Sequence, residues 1–461
     1  MNRISTGIAT LDKMLQGGFP EGSLVLLVGR PGSGKTIFVH QMMFHNATLD
    51  AKVLYLTTLA EPQIKVMKFQ QEFSFFDPGK FQSSVIYQDL GYTLRKYGTV
   101  KALTTVDELI QKYQPRLLVI DTVKTIADMA ASFQEFREFV LDISVRVATW
   151  GCTALFLGEY SEEDIEMRPE SAIADGIVYL SGMEDKKQQK RYLRILKMRG
   201  TAYDGGEIFF KITYNGIEVF PRLNPDLSLQ KYEAFPKRIS TGIPQLDEMM
   251  DGGIPEASTT LLSGAAGTGK TIIATYFVYA GLQAGEPVVF VSFEEEPQQI
   301  LRTAATLGAD LKPYMVAGLL QFMHVSPMEL DVDEHIIYIQ QLVKIAGAKR
   351  LVIDSISAFE VGMRDKVKYT DYIWALTDFF KVQGISVMLT HEMHDSAQVG
   401  ELTKHGISFV ADNLILLRYE ENGADLKRYL RIIKMRLSKH SSSLRELVIG
   451  DNKVIIGCPY R

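Results

Sequence analysis

Two segments of this chain have the residue types and spacing to hold a polyphosphate. Gly29-Arg30-Pro31-Gly32-Ser33-Gly34-Lys35-Thr36 and Gly264-Ala265-Ala266-Gly267-Thr268-Gly269-Lys270-Thr271 both fit G-x-x-x-x-G-K-[ST]. Glycines let successive backbone N–H groups turn toward one centre and form an anion nest. A helix opening at the lysine adds the positive end of its dipole. Lys35 and Lys270 have the reach for β- and γ-phosphate oxygens, and Thr36 and Thr271 offer hydroxyls to Mg2+. A short pattern can match by chance, but two matches, each directly after an apolar run, make ATP binding at both loops the expected chemistry.

Carboxylates follow at the distances such a site needs. Asp121 and Asp354 each close an apolar run and are read as the aspartates that hold Mg2+. After Val288–Ser292 comes Phe293-Glu294-Glu295-Glu296-Pro297-Gln298. Acidic runs are usually solvated loops, but open α/β sheets build their sites at the C-terminal ends of strands. Glu294 and Glu295 are therefore the expected catalytic pair, able to polarise an attacking water or hydroxyl. The first-half counterpart is Thr58-Leu59-Ala60-Glu61-Pro62-Gln63. Leu59 and Ala60 take the places of the two glutamates, and Glu61 falls opposite Glu296. The first site is expected to hold nucleotide without a base.

The elements that position these groups occur twice. Arg3-Ile4-Ser5-Thr6-Gly7-Ile8 returns as Arg238-Ile239-Ser240-Thr241-Gly242-Ile243, Leu11-Asp12 as Leu246-Asp247, and Gly17-Gly18-Phe19-Pro20-Glu21 as Gly252-Gly253-Ile254-Pro255-Glu256. Lys197-Met198-Arg199 returns as Lys434-Met435-Arg436. A repeat this long is a whole domain, which places one unit at 1–224 and another at 236–461. The stretch between them loses apolar periodicity and carries two prolines. In each copy short apolar runs alternate with amphipathic stretches. Leu24–Val28, Val53–Thr57, Leu117–Ile120 and Ala154–Leu157, with Thr260–Ser263, Val288–Ser292, Leu351–Ile353 and Ser386–Thr390, read as buried strands. Tyr192–Lys197 and Tyr429–Lys434 read as further, antiparallel strands. The expected fold class is α/β: two tandem P-loop NTPase domains, each a mainly parallel β-sheet flanked by helices.

Composition narrows the setting. The net charge of −5 gives no global positive field for nucleic acid or anionic membrane. The two cysteines, Cys152 and Cys458, lie far apart and outside metal-ligand spacing, so neither a disulfide framework nor a zinc site is expected. The opening MNRISTGIATLDKM has no apolar signal core, and no apolar run is long enough to span a bilayer. A cytoplasmic location with no membrane role is the expectation.

In the combination and order of the RISTGI-x-x-LD openings, the GG[FI]PE turns, both P-loops, the FEEEPQ segment and the KMR segments, the whole chain resembles the KaiC family of RecA-type ATPases. The resemblance implies a homohexameric double ring with ATP and Mg2+ at subunit interfaces and a protein signalling partner. It implies that Lys197, Met198, Arg199 and Thr201, with Tyr203 close by, and Lys434, Met435, Arg436, Ser438 and His440 reach a neighbouring subunit's nucleotide. It also implies an autokinase whose acceptor serine is Ser408, with Phe409 where the family has a threonine. That replacement argues against ordered two-site phosphorylation and leaves single-site autophosphorylation open. The chain ends at Arg461, where the long KaiC tail is expected to be missing, so a clock role is not expected.

Two other functions compete. A RecA- or helicase-like DNA-dependent ATPase would hold single strands on loops such as Glu159–Ser171 and His391–Lys404. The first is acidic and the second mixed, without the basic and aromatic character of such a channel. The basic run Lys186–Arg191 reads as a solvated hairpin turn. A nucleotide-gated scaffold with little catalysis suits the first half alone. His391 and His394 read as a polar loop rather than a metal pair, and Tyr372–Phe380 as a core or subunit contact.

Overall fold

Leu24–Gly29 (β1) is buried along its whole length because its two faces enter different cores. Val25 and Leu27 pack with Phe38, Val39, Met42 and Met43 of helix Lys35–Asn46. Leu24, Leu26 and Val28 pack on the other side with Phe136, Phe139, Val140 and Ile143 of helix Phe133–Trp150. Alternation of side chains across a strand converts a continuous apolar run into a strand covered on both faces. In this computed structural model the described residues are 2–58, 63–185, 188–203, 205–222, 237–326, 330–363, 366–393, 407–422, 425–436, 438–450 and 453–459. For 63–66, 184, 185, 188, 361, 362, 366–368, 407, 408 and 422 only the backbone is described. The segment read as a linker, and Lys186 and Lys187, fall outside them.

The chain divides into two compact units, Met1–Arg222 and Leu223–Arg461. The first continues from β1 through Val53–Thr57 (β2), Val85–Asp89 (β3), Leu117–Asp121 (β4), Thr153–Gly158 (β5), Gly176–Asp185 (β6), Gln188–Met198 (β7), Ile208–Thr213 (β8) and Gly216–Phe220 (β9). The second carries Thr259–Gly264 (β10), Val288–Ser292 (β11), Leu320–His324 (β12), Arg350–Asp354 (β13), Ser386–Glu392 (β14), Asn413–Asn422 (β15), Asp425–Met435 (β16), Arg445–Gly450 (β17) and Lys453–Pro459 (β18). The sheet orders are β9-β8-β7-β6-β1-β5-β4-β2-β3 and β18-β17-β16-β15-β10-β14-β13-β11-β12, the same order twice. From β3 to β6 and from β12 to β15 neighbours run parallel. The last three strands of each sheet are antiparallel additions.

The predicted parallel strands are all present, longer by a residue or two at some ends. The segments read from Tyr192–Lys197 and Tyr429–Lys434 are the middles of β7 and β16, and both are antiparallel. The strands not predicted are β3, β6, β8 and β9 with their counterparts. β3 and β12 are sheet edges that carry polar residues such as Gln88 and Gln321, so their apolar signal is weak. The expected turn at Lys186–Arg191 is shorter than predicted, since Gln188 already pairs with Asp185 across the β6–β7 hairpin. Tyr372, Ile373, Leu376 and Phe380 of helix Lys366–Val382 belong to the core, as their spacing predicts.

The antiparallel strands also reach the phosphate loops. A Cβ on Gly34 would stand 3.2 Å from Ile212 of β8, and one on Gly269 would stand 3.1 Å from Ile449 of β17. Both glycines sit in the left-handed region at φ 102° and open a helix there. That position needs glycine on both counts.

Candidate functional site

Each P-loop runs from the end of the central strand into a helix, from β1 into Lys35–Asn46 and from β10 into Lys270–Gln283. Lys35 Nζ donates to the carbonyls of Gly29 and Arg30 at 2.8 and 3.0 Å. Lys270 Nζ donates to Gly264 and Ala265, both at 2.9 Å. The ammonium is therefore folded back over the loop, within the nest an anion would fill. In the first loop Ser33 Oγ is buried without a partner, a polar atom the structure leaves unsatisfied. In the second, Thr268 Oγ1 donates to Ala265 O at 2.8 Å. Burial lowers the pKa of both lysines. Opposing carboxylates pull the other way: Glu159 and Asp121 for Lys35, and Glu392, Asp354 and Glu294 for Lys270. Glu159 and Glu392 are equivalent, since the residues just before them, Gly158 and His391, pair with Val28 of β1 and Ser263 of β10. Sequence reading assigned them to loops and missed them. The available signal was a glutamate at the same strand end in both halves.

In the second unit the predicted carboxylates converge. The cavity beside the loop is lined by Gly267, Lys270, Thr271, Glu294, Glu295, Asp354 and Glu392, with Ile300, Ala304 and Leu307 as its apolar wall. Asp354 is buried and hydrogen-bonds the hydroxyls of Thr390 and Thr271. Burial nevertheless raises its pKa, with Glu294 adding to the effect. Ser355 Oγ donates to Glu294 Oε1 at 2.9 Å and fixes the outer glutamate. Glu295 is half-buried, and desolvation, then the charges of Asp354 and Glu294, raise its pKa. Among the described residues no group of three or more His, Cys, Asp or Glu forms a cage for a metal ion. Thr271 and Asp354 do fit the way Mg2+ is usually held, by one or two protein oxygens with phosphate and water completing the shell.

The first unit keeps the frame and changes the chemistry. Leu59, Ala60 and Glu61 lie outside the described residues. The frame up to Thr58 matches that of Phe293: Thr58 N donates to Asp121 O and Phe293 N to Asp354 O, both at 2.8 Å. Thr58 and Thr122 bond each other, through Thr122 N to Thr58 Oγ1 at 2.8 Å and Thr58 Oγ1 to Thr122 O at 3.0 Å. Thr122 Oγ1 donates to Leu157 O at 2.9 Å, whereas its counterpart Ser355 serves a glutamate. Asp121 accepts from Tyr55 Oη. Tyr55 pairs with Val119 as Phe290 pairs with Val352, and Leu157 occupies the place of Thr390. The hydroxyl that steadies the aspartate thus comes from β2 in one unit and from β14 in the other. Below Tyr55 lies fully buried His40, whose Nδ1 is 2.6 Å from Thr36 O and whose pKa burial lowers to about 4.

The KMR segments lie beyond the hairpins. Met198 and Met435 point into the apolar cores, which leaves their backbone for any nucleotide contact. Arg199 and Arg436 are well exposed. Lys197 Nζ donates to Ser171 O and Ala172 O at 3.2 Å, and Lys434 Nζ to Ala411 O at 2.8 Å. Arg199 Nη1 donates to Asp175 Oδ1 at 3.2 Å, and Arg436 Nη1 lies 3.5 Å from Asp412 Oδ1. Thr201 and Ser438 accept from Arg3 and Arg238, at 2.8 and 2.6 Å. Tyr203 Oη donates to Leu196 O, and His440 is half-buried. Ser408 lies in the short helix Ile407–Val410, with only its backbone described. His391 is buried with Nδ1 3.2 Å from Ser263 Oγ, so it belongs to the strand rather than the loop that was expected; His394 is outside the described residues.

A family model described as ATPase: KaiC matches residues 4–224 and again 239–459. The chain is 28% identical to the circadian clock protein KaiC3 of Synechocystis sp., over all of this chain and 93% of that protein. It is 28% identical to the circadian clock oscillator protein KaiC of Thermostichus vulcanus, over all of this chain and 90% of that protein. To the KaiC of Synechococcus elongatus it is 28% identical, covering 97% of this chain and 88% of that one.

Proposed function

The chain belongs to the KaiC family of ATPases, and from that premise we propose that its second unit hydrolyses ATP while its first unit holds ATP chiefly for assembly. The observation that carries this reading is the single cavity wall on which Lys270, Asp354, Glu294 and Glu295 meet. The nest at 264–269 binds the phosphates, and Lys270 swings from the loop carbonyls to the γ-phosphate. Thr271 and Asp354 would hold Mg2+, which would supply positive charge to neutralise the phosphates. Glu295, with its raised pKa, orients the attacking water and accepts its proton, and Glu294 is braced beside it by Ser355. A base of elevated pKa suits this task near neutral pH.

The first unit has the nest, the lysine and the aspartate, with Leu59 and Ala60 in the glutamate positions. Nucleotide there acts as a structural ligand. Exposed Arg199 and Arg436, with the segments around them, contact the nucleotide of a neighbouring copy, in a homohexameric ring that signals to a protein partner. A trans cation stabilises charge on the transferring phosphoryl group. Ser408 is the proposed acceptor for single-site autophosphorylation. The location is cytoplasmic, in keeping with described helices none of which is long and apolar enough to cross a membrane.

The test is ATP turnover by the full chain carrying Glu294→Gln and Glu295→Gln. We expect no phosphate release, with two ATP still bound per chain. Undiminished turnover would overturn the assignment. Stimulation by single-stranded DNA would favour the motor reading instead.

A further inference from the structure

Hydrolysis makes no use of the segments that open each unit, yet they are built alike. Arg3–Ile4 pairs antiparallel with Phe19–Pro20, and Arg238–Ile239 with Ile254–Pro255. Asp12 accepts from Ser5 Oγ at 2.5 Å and from Thr6 N and Oγ1 at 2.7 Å. Asp247 accepts from Ser240 Oγ at 2.5 Å and from Thr241 N and Oγ1 at 2.8 and 2.6 Å. The turn is thereby fixed in both copies, with Leu11 and Leu246 anchoring it in the core.

From this fixed turn an arginine crosses to the far end of its unit. Arg3 Nη1 donates to Gly18 O at 3.0 Å and to Thr201 Oγ1 at 2.8 Å, and Nη2 to Gly200 O at 3.2 Å. Arg238 Nη1 donates to Met250 O and Gly253 O at 2.8 Å, and Nη2 to Ser438 Oγ at 2.6 Å. A guanidinium is a planar fork, so bonding the carbonyl of Gly18, or those of Met250 and Gly253, together with the distant hydroxyl fixes their separation. The hydroxyls lie two residues beyond Arg199 and Arg436. Because Arg3 donates into the Thr201 oxygen, that hydroxyl keeps its own hydrogen for an acceptor such as a phosphate or ribose oxygen, whereas Ser438 Oγ donates its hydrogen to Lys439 O at 2.9 Å.

We propose that Arg3 and Arg238 are positioning residues that clasp the segment after each KMR to the opening turn of the same unit, and so aim it at the nucleotide of a neighbouring copy. This rests on the reading that those segments act in trans. The test uses the full chain with Glu295→Gln, assembled with a fluorescent ATP analogue, so that nucleotide release is read apart from hydrolysis. Arg238→Ala is expected to speed release from the second site about tenfold or more. Arg436→Ala should do the same, and the double variant should add little to either, since the two act as one unit. Arg238→Lys keeps the charge and loses the fork, so it should fold and still release faster. Unchanged release, or effects of Arg238→Ala and Arg436→Ala that simply multiply, would overturn the clasp. A chain that stays monomeric with nucleotide overturns the trans reading beneath it. An assembled wild-type chain without turnover overturns only the hydrolytic role of Glu295.

Discussion

The role proposed for Glu295 rests on its surroundings, since burial and two neighbouring carboxylates favour its protonated form. A general base must be ionised, so turnover should fall on acidification at a higher pH than an ordinary glutamate would give, and recover on return to neutral. Glu295→Gln alone should cost about 10²–10⁴-fold in kcat with ATP affinity kept, measured as phosphate release beside equilibrium binding. The first unit has its own titrating group. His40 is neutral in the fold with its pKa lowered to about 4. An unfolded chain binds that proton near pH 6.5, so folding stability contributed by His40 is present above pH 6.5 and is lost as pH falls toward 4. The loss is roughly 3 kcal/mol by pH 4. Exchanging it for the second unit's residue, His40→Thr, should flatten this part of the stability profile, as read by denaturant unfolding at several pH values. Little of this was legible in the sequence. A P-loop lysine is fixed by local spacing, whereas Tyr55, Thr390, Glu159 and Glu392 matter only because separate strands bring them beside an aspartate or a lysine.

At the scale of elements, the parallel strands were readable because burial on both faces leaves an unbroken apolar run. The antiparallel additions were less so, because β16 is exposed along parts of its length. Those additions distinguish the two sites. Tyr419 on β15 and Arg428 on β16 face each other in the ladder, and both donate to Gly267 O, at 2.7 and 2.9 Å. In the first unit the matching pair is Gly182 and Arg191, and a Cβ on Gly32 would meet no atom within 4 Å. The second loop is therefore held from outside by a hairpin, and among the described residues the first loop shows no matching bond. Tyr419→Phe with Arg428→Met should weaken ATP binding at the second site by up to roughly thirtyfold, about 1 kcal/mol for each of the two hydrogen bonds lost. Binding at the first site should stay as it was. Isothermal titration of chains with the other loop disabled reads each site.

For the whole molecule, duplication has kept one sheet order, and the proposed division of work between the two units can be tested. Lys35→Ala should abolish nucleotide-dependent assembly, and Lys270→Ala should abolish turnover while leaving assembly intact. Light scattering with and without ATP, beside phosphate release, separates these outcomes, and loss of assembly by Lys270→Ala alone would reverse the division. The repeat and both loops were plain from the sequence. The asymmetry was only half legible, as two missing glutamates, because the hydroxyl exchange between Tyr55 and Thr390 needs the strand order to be seen.

The two anchoring aspartates differ in company. Asp175 receives Arg199 and the N–H of Leu24. Asp412 receives the N–H of Thr259 and Lys381 Nζ, at 2.9 Å to both its oxygens, with Arg436 further off at 3.5 Å. The residue matching Lys381, three before the glycine that ends its helix, is Ala148. Were Arg436 to reach another chain as proposed, Asp412 would keep Lys381 on both its oxygens. Were Arg199 to leave, Asp175 would keep the N–H of Leu24 and the nearby charge of Lys197, with no cation among the described residues bonded to it as Lys381 is to Asp412. On the proposed trans reading, freeing Arg436 thus costs its own unit less than freeing Arg199 costs the first.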